Sequence, residues 1–405
     1  MSGRTGGVRR RFAELLLAAG LLAVAGLTLF PTPVPPSLSA RKFVVLGSLA
    51  DLLRNVALFL PIGVALALRG ASSRTAWLGS LALAAGIEIA QIAIPGRSTS
   101  PDDVLANALG AGLGHALVRT APGWLRPTRA VARRLELAAG LVFASAVTLT
   151  GLLTAPALTA GPWYAHWNPA LETLVPYAGP LRAASLAGAP LAHGPIDDPA
   201  GARRALESGD RLEVRLLSSG PAAGFEAIFL ISDARDRELA LLALDGDDLV
   251  FRYRSRARAL GLESAVLRVA GAWRDVAPAM PVLLAFWRAG GSACLARDQS
   301  RFCRLAFGAG SGWRLVLPVL SFPARLEPAF DLLWLAALAL PIGLWCRRDL
   351  FSGLMPLLAV AALLAIPWLG WLAPPTLDLG LAAAAGWGIG FVLARSVYPG
   401  AFPLE

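Results

Sequence analysis

The stretch DLLRNVALFLPIG at residues 51–63 recurs near the other end of the chain as DLLWLAALALPIG at residues 331–343, with nine of 13 positions identical. A second block of identities follows each stretch. Its members Asp102, Leu105, Ala106, Gly110, Gly112, Gly114 and Arg119 match Asp378, Leu381, Ala382, Gly386, Gly388, Gly390 and Arg395. Both copies are apolar and long enough for three helices. We therefore expect two copies of one three-helix unit.

The composition changes sharply between the two copies. The 405-residue chain is 56% hydrophobic and 16% charged, whereas soluble proteins carry roughly 25% charged residues. Residues 156–325 alone hold 19 Arg and 16 Asp or Glu. This excludes a disordered chain and disfavours a purely soluble one. It predicts three domains, which are a five-helix membrane domain at 1–155, a soluble domain at 156–325 and a three-helix membrane domain at 326–405.

Apolar stretches near the length of a membrane span, about 20 residues, support this division. They lie at residues 14–30, 51–68, 76–94, 103–118, 136–154, 329–345, 351–372 and 377–394. We therefore predict a polytopic α-helical membrane protein of about eight transmembrane helices, with an inserted all-β domain. The first stretch is favoured as an uncleaved helix, and a cleaved signal peptide is the alternative.

The basic residues predict the orientation of these spans. The net charge is +10, and with the N-terminus inside, 14 of the 18 basic residues outside 156–325 fall on the cytosolic side. This asymmetry is the positive-inside pattern. It predicts cytoplasmic N- and C-termini and an extracytoplasmic 156–325 domain. Because arginine that orients spans explains the charge, we expect no nucleic-acid partner.

Polar residues distinguish the first copy from the second, where Asn55 and Asn107 are replaced by Leu335 and Ala383. The candidate ligand-binding residues are Asp51, Asn55, Glu88, Gln91, Arg97, Asp102, Asp103 and Asn107. An ionisable group within a span is costly and usually faces a cavity or a partner. Glu88 is the candidate catalytic residue and is expected to meet Arg97 or a nearby amide. Helix caps, with Asp102 as the N-cap of its helix, and interhelical hydrogen bonds are the alternative reading.

The spacing of these residues resembles that of the VanZ-like membrane proteins. The pattern is Asn55-x3-Phe59-x-Pro61-x-Gly63, Glu88-x2-Gln91, then Arg97-x4-Asp102-Asp103-x3-Asn107-x2-Gly110-x3-Gly114, and the resemblance covers about residues 14–120. It implies a bacterial plasma-membrane protein connected with the cell envelope. The founding member of the family is associated with low-level resistance to the glycopeptide teicoplanin. The resemblance implies no biochemical activity.

Alternating short strands predict a β-sandwich or jelly roll within the middle domain. They lie at 211–217, 225–231, 238–244, 248–254, 264–269, 281–288, 292–297, 301–307 and 313–320. The segment 244–253 and the hairpin with Cys294 and Cys303 resemble laminin-G or concanavalin-A-like domains. We expect these two cysteines to form a disulfide in an oxidising compartment, and Cys346 to be an inert thiol.

Other candidates in this domain have a plain structural alternative. Asp245, Asp247 and Asp248 are candidates for calcium or sugar contacts, and a hairpin turn is favoured over either. The tryptophans are expected in the core rather than in a sugar-binding surface. The three histidines have no metal-ligand spacing, and no phosphate-loop or dinucleotide motif is present, so we expect no cofactor.

These features favour a non-enzymatic envelope protein that binds a glycan or a lipid-linked component at the outer leaflet. The alternative is a membrane enzyme acting on a lipid-linked envelope precursor, with Glu88 as acid or base and Arg97 on phosphate. No nucleophile motif supports the enzyme. A transporter is less favoured, because the second copy lacks a polar lining. The sequence leaves the oligomeric state and the ligand open.

Overall fold

The computed structural model describes residues 2–30, 47–95, 97–170, 174–289, 292–347, 350–365 and 372–397. These residues form two compact units, Met1–Ala132 and Arg133–Glu405. The division falls inside a helix that begins at Arg129. The domain boundaries at residues 155 and 325 stay predictions.

The described part of the first unit contains four complete helices, and serines start three of them. The helices are α1 (Ser2–Thr28), α2 (Leu49–Leu68), α3 (Ser73–Gln91) and α4 (Pro101–Leu125). Ser48 and Ser72 cap α2 and α3 through their side chains. The N-cap of α4 is Ser100, not Asp102 as expected. Pro101 has no N–H to satisfy and fits the first helical position, so α4 begins earlier.

Close contact between α2 and α4 rests on glycines that face backbone. A Cβ atom added to Gly63 would lie 1.9 Å from the carbonyl oxygen of Ala111. A Cβ added to Gly110 would lie 2.2 Å from the carbonyl oxygen of Val56, and one added to Gly114 would lie 2.1 Å from that of Leu60. No side chain fits there, so the two backbones touch.

The second unit repeats this contact between its own helices. It contains α5 (Arg129–Thr154), α8 (Glu327–Trp345), α9 (Leu350–Ala365) and α10 (Leu377–Val397), with α6 (Pro199–Ser208) and α7 (Arg256–Ala259) in between. A Cβ added to Gly343 would lie 1.8 Å from the carbonyl oxygen of Trp387. A Cβ added to Gly386 or Gly390 would lie 2.1 Å from the carbonyl oxygen of Ala336 or Leu340, respectively. Each pair aligns with a pair of α2 and α4, so the repeated sequence forms a repeated helix contact.

Five helices of the described chain are long and apolar enough to cross a membrane. These spans are Gly7–Thr28, Leu49–Leu68, Arg129–Thr154, Ala324–Trp345 and Leu377–Ser396. Helices α3 and α4 are not among them, and each carries charged residues, such as Glu88 and Asp103. The apolar part of α9, Met355–Ala365, is shorter than a span. A membrane protein is therefore supported, and the total of about eight spans stays a prediction.

Two β-sheets occupy the middle of the second unit. The strands are β1 (Trp163–Trp167), β2 (Val175–Pro176), β3 (Leu181–Leu186), β4 (Ala189–Pro190), β5 (Gly194–Pro195), β6 (Leu212–Leu217), β7 (Phe225–Asp233), β8 (Glu238–Asp245), β9 (Asp248–Tyr253), β10 (Ala265–Val269), β11 (Pro281–Ala289), β12 (Ser292–Arg297) and β13 (Ser300–Leu305). One sheet has the order β10-β9-β8-β7-β1-β5, with β2 also paired to β7, and the other has the order β13-β12-β11-β6-β3-β4. Pairing is antiparallel except between β2 and β7.

The two sheets share one apolar core. Phe251 of β9 stacks on Phe286 of β11 with ring centroids 3.6 Å apart, which joins the sheets face to face. Trp163 and Trp273 are fully buried in this core. The predicted β-rich region of two packed sheets is confirmed, and a jelly-roll connection stays a prediction.

The last expected strand, at 313–320, is wrong. Short 3-10 helices at Ala309–Leu315 and Val319–Ser321 stand there. Pro318 cannot donate to a strand ladder. Gly310 also packs against backbone, because its added Cβ would lie 2.6 Å from Asp331 O. Strands β1 and β3 were not expected, since they lie in a stretch rich in Pro and Gly.

Two of the three cysteines lie on adjacent strands. Cys294 of β12 and Cys303 of β13 form a disulfide with an S–S distance of 2.04 Å. Cys346 follows α8 and is a buried thiol outside this disulfide.

Candidate functional site

The first part of the polar cluster is at the start of α2. Ser48 accepts a hydrogen bond from the backbone N–H of Asp51 at 3.1 Å, and the Asp51 carboxylate accepts one from the N–H of Ser48 at 3.2 Å. Arg54 also forms an ion pair with Asp51. The side chain of Asp51 remains 47% exposed. Asp51 is therefore both a helix cap and an accessible anion.

The start of α4 meets the start of α2 through side chains. Asn55 donates from Nδ2 to Asp103 Oδ1 at 2.6 Å. Asp102 Oδ2 accepts from the backbone N–H of Gly47 at 3.1 Å. These contacts bring four of the predicted site residues, Asp51, Asn55, Asp102 and Asp103, to one end of the helix pair.

Glu88 is buried, with 8% of its surface exposed. Its Oε2 accepts a hydrogen bond from the backbone N–H of Ser100 at 2.9 Å, so its contact is neither Arg97 nor a side-chain amide as expected. The loop before α4 folds back over α3 and presents the N-cap amide to the carboxylate. Glu88 therefore holds the entry to α4 against α3.

Gln91 and Arg97 bind the end of α1. Gln91 donates to Thr28 O at 3.0 Å. Arg97 donates from Nη2 to Leu27 O at 2.7 Å and from Nε to Phe30 O at 3.0 Å. The last carbonyls of a helix lack partners within it, and a cation there is favourable. These two residues therefore cap α1 in the structure.

Asn107 is the most deeply buried member of the cluster. It is 2% exposed, and its Oδ1 has no hydrogen-bond partner among the described residues. A buried acceptor left unpaired costs about 1–3 kcal/mol. Asn107 lies one turn after Asp103 on the same face of α4. Its unpaired oxygen is therefore one helical turn further along α4 than the Asn55–Asp103 hydrogen bond.

The acids proposed for calcium or sugar have protein partners. Asp245 and Asp248 lie 3.9 and 3.4 Å from the guanidinium of the buried Arg268, and Asp247 lies 3.6 Å from Arg274. Burial raises the pKa of Asp245, Arg268 lowers it and Asp248 raises it further, with a net increase. Within the residues that the structure describes, no group of His, Cys, Asp and Glu is placed to hold a metal ion.

An ion network in the second unit was not found from the sequence. Arg268 of β10 reaches Glu327 at 3.3 Å, and Arg314 binds Glu327 at 2.9 Å and Asp331 at 2.8 Å. Trp313 donates to Asp331 at 2.6 Å. This network joins the β-sheets to the start of α8. The one sequence feature that could have pointed to this network is Asp331, which aligns with the candidate site residue Asp51.

Aromatic residues of the β region mostly form its core. Trp163, Trp273 and Trp313 are 1%, 0% and 3% exposed, so the expectation of core tryptophans is confirmed for these three. Trp167 is half-buried and packs against the core, whereas the half-buried Trp287 lies under the guanidinium of Arg211. His166 and His193 meet with ring centroids 6.0 Å apart. Burial and His193 lower the pKa of His166. The sequence did not predict this pair.

The polar cluster of the first unit offers exposed and buried carboxylates, an amide pair and one open acceptor. Such groups can hydrogen-bond a polar head group. They do not form a nucleophile–base pair among the described residues.

Comparison with known proteins places this cluster in a family context. No curated protein and no solved structure matches the sequence. The model of one family, VanZ/LLP1, matches residues 17–122. That range runs from within α1 to near the end of α4. The chain therefore carries a VanZ-like region at residues 17–122, which contains the whole polar cluster.

Proposed function

We propose that this protein is a non-enzymatic envelope membrane protein whose VanZ-like region binds the polar group of a lipid-linked or amphipathic envelope component. The binding groups are Asp51, Asn55, Asp103 and Asn107, at the extracytoplasmic ends of α2 and α4. Residues 156–325, with the β-sheets, are extracytoplasmic in this proposal. An effect on susceptibility to teicoplanin is part of this proposal.

One comparison within the chain carries the proposal. Helices α8 and α10 make the same glycine contacts as α2 and α4, but Leu335 and Leu379 stand where the first copy has Asn55 and Asp103. Packing of this helix pair therefore does not need the polar residues. Since buried polar groups are costly, their presence in the first copy favours a binding role over helix attachment.

The enzyme hypothesis receives less support from the geometry. It required Arg97 to contact phosphate beside Glu88, but Arg97 uses Nε and Nη2 on carbonyls of α1. A phosphate would have to displace both hydrogen bonds. We therefore do not propose catalysis by Glu88.

The test replaces Asn55 and Asp103 by the residues of the second copy, as Asn55→Leu with Asp103→Leu in the full chain. We expect the variant to fold, because Leu335 and Leu379 stand at these two positions in a helix pair that keeps the same glycine contacts. Thr120→Leu, an exposed polar-to-apolar change near the other end of α4, is the control.

Two measurements decide the outcome. Native mass spectrometry of protein purified from bacterial membranes compares the bound small molecules, and growth assays compare teicoplanin susceptibility. The double variant is expected to lose a bound component that wild type and Thr120→Leu retain, and to lose any effect on susceptibility. If a folded double variant keeps the same bound molecules, the cluster is not the binding site.

A further inference from the structure

A second polar site lies on the outer face of the larger β-sheet, apart from the VanZ-like region. It is a cleft of about 400 Å³, within the usual size range of ligand sites. Arginines dominate its wall, and we name it the basic cleft. Its arginines are Arg235, Arg237, Arg252, Arg254 and Arg258.

Protein acids neutralise only part of this charge. The acids lining the cleft are Asp236, Glu238 and Glu263. Arg252 forms a two-point ion pair with Glu238, at 2.6 and 2.5 Å. Arg237 lies 2.6 Å from Asp233. The guanidinium groups of Arg254 and Arg258 form no ion pair with any described residue.

Arg254 shows the effect of this crowding. It is half-buried, and burial together with Arg237 and Arg258 lowers its pKa, against the opposing effect of Asp233. An arginine placed next to two others gains from a bound anion. Guanidinium groups bind phosphate in two-point geometry.

The basic cleft is also tied to the ends of two spans. Arg256 N donates to Ala155 O at 2.9 Å, directly after span Arg129–Thr154. On its other side, the cleft is lined by Leu320. Span Ala324–Trp345 begins four residues later, at most about 14 Å of extended chain. If these helices cross the bilayer, the cleft lies at the membrane surface.

Its apolar lining fits the same location. Leu174, Leu230 and Val266 line the cleft beside the arginines. An amphipathic ligand would therefore meet both apolar and cationic groups. A soluble anion would use only the arginines.

We propose that the basic cleft binds an anionic phospholipid, with the lipid phosphate on Arg254 and Arg258. This site is separate from the polar cluster of the VanZ-like region. Each arginine near an anionic membrane surface contributes about 1 kcal/mol. Loss of both arginines should therefore weaken binding about 30-fold, and loss of one about fivefold.

The experiment titrates the full chain in neutral detergent with phosphatidylglycerol or phosphatidylcholine and measures bound lipid by native mass spectrometry. We expect preference for phosphatidylglycerol, about 30-fold weaker binding by Arg254→Gln with Arg258→Gln, and about fivefold weaker binding by Arg258→Gln alone. The single variant changes an exposed residue and keeps the test open if the double variant fails to fold. Arg182→Gln, an exposed arginine of β3 in the other sheet, should bind as wild type does.

Equal binding of the two lipids, or an unchanged Arg258→Gln variant, overturns the proposal. Inorganic phosphate and alginate are titrated in parallel. If either binds in a manner that requires Arg258 while phosphatidylglycerol does not bind, the cleft is a site for a soluble anion or an anionic glycan, and the lipid assignment is wrong.

Discussion

Replacing Gly63 by alanine should separate α2 from α4 and destabilise the VanZ-like region. The added Cβ would lie 1.9 Å from Ala111 O, whereas a carbon–oxygen contact needs about 3.3 Å. The helices must move apart by about 1.4 Å on this estimate, because the obstructing atom is backbone and cannot rotate away.

The expected cost follows from two opposing terms. Overpacking of this kind costs up to about 3 kcal/mol, and alanine gains about 1 kcal/mol over glycine within a helix. We therefore expect Gly63→Ala to lose about 2 kcal/mol. Gly86→Ala on α3 is the matched control, because nothing lies within 4 Å of its added Cβ. It should gain up to about 1 kcal/mol.

Unfolding by sodium dodecyl sulfate in a mild detergent, followed by far-ultraviolet circular dichroism, measures the difference. Gly63→Ala should unfold at lower, and Gly86→Ala at equal or higher, sodium dodecyl sulfate concentration than wild type. Identical unfolding of the two variants would refute close backbone contact as the basis of the helix pair.

The second copy provides an independent version of this test. Gly343→Ala would place Cβ 1.8 Å from Trp387 O, whereas Gly388 has nothing within 4 Å. Cys346, a buried thiol outside the disulfide and three residues after Gly343, reports opening through its reaction with a thiol dye. Faster labelling of Gly343→Ala than of Gly388→Ala is the expected result, and equal rates would contradict it.

Three further predictions concern acid stability, the disulfide and α1. Burial raises the pKa of Asp233, but its hydrogen bonds, foremost from Arg237, lower it to about 2. The ionised Asp233 therefore contributes about 2 kcal/mol to the free energy of unfolding. This contribution should hold above about pH 4 and disappear toward pH 2. Acid unfolding of Asp233→Asn should show lower stability at neutral pH and convergence with wild type below pH ~3. Cys294→Ser with Cys303→Ser should cost about 2.5 kcal/mol in denaturant unfolding, given the nine-residue separation. Arg97→Gln should raise hydrogen exchange at the end of α1, and unchanged exchange would show that Arg97 does not cap it.

The helices and the repeat were the predictable part of the fold. The apolar run at residues 51–68 predicted a helix there, and the structure has Leu49–Leu68. The glycine matches supported the repeat, but the close helix contact was not predicted and is known from the structure. Exact starts were less predictable, because α4 begins at Pro101, two residues before the apolar stretch at 103–118, with Ser100 as its N-cap.

The contacts of the site were only partly predictable. The predicted topology puts Asn55 and Asp103 near the outer ends of their helices, and in the structure the two side chains are in contact. The partners of Glu88 and Arg97 are backbone groups. Every residue offers those groups, so sequence contains no signal for which of them a side chain reaches.

In the β region, alternation predicted most central strands but not β1 or β3. Strand β1 (Trp163–Trp167) pairs with β7. Its short apolar run lies between Pro and Gly residues, which favour loops. The pairing depends on contacts with strands more than 60 residues away. Local pattern does not report such contacts.

The two helix pairs show how one scaffold serves two purposes. Both keep the glycine contacts and an aspartate at the start of the first helix. In the first unit this aspartate, Asp51, is half exposed beside Asn55. In the second unit Asp331 is bound by Trp313 and Arg314 of the 3-10 helix Ala309–Leu315. Arg314 also binds Glu327, which meets Arg268 of β10 and so completes the link to the β-sheets. The same position thus anchors a domain in one copy and remains accessible in the other, so the accessible copy is the one where ligand binding should be sought.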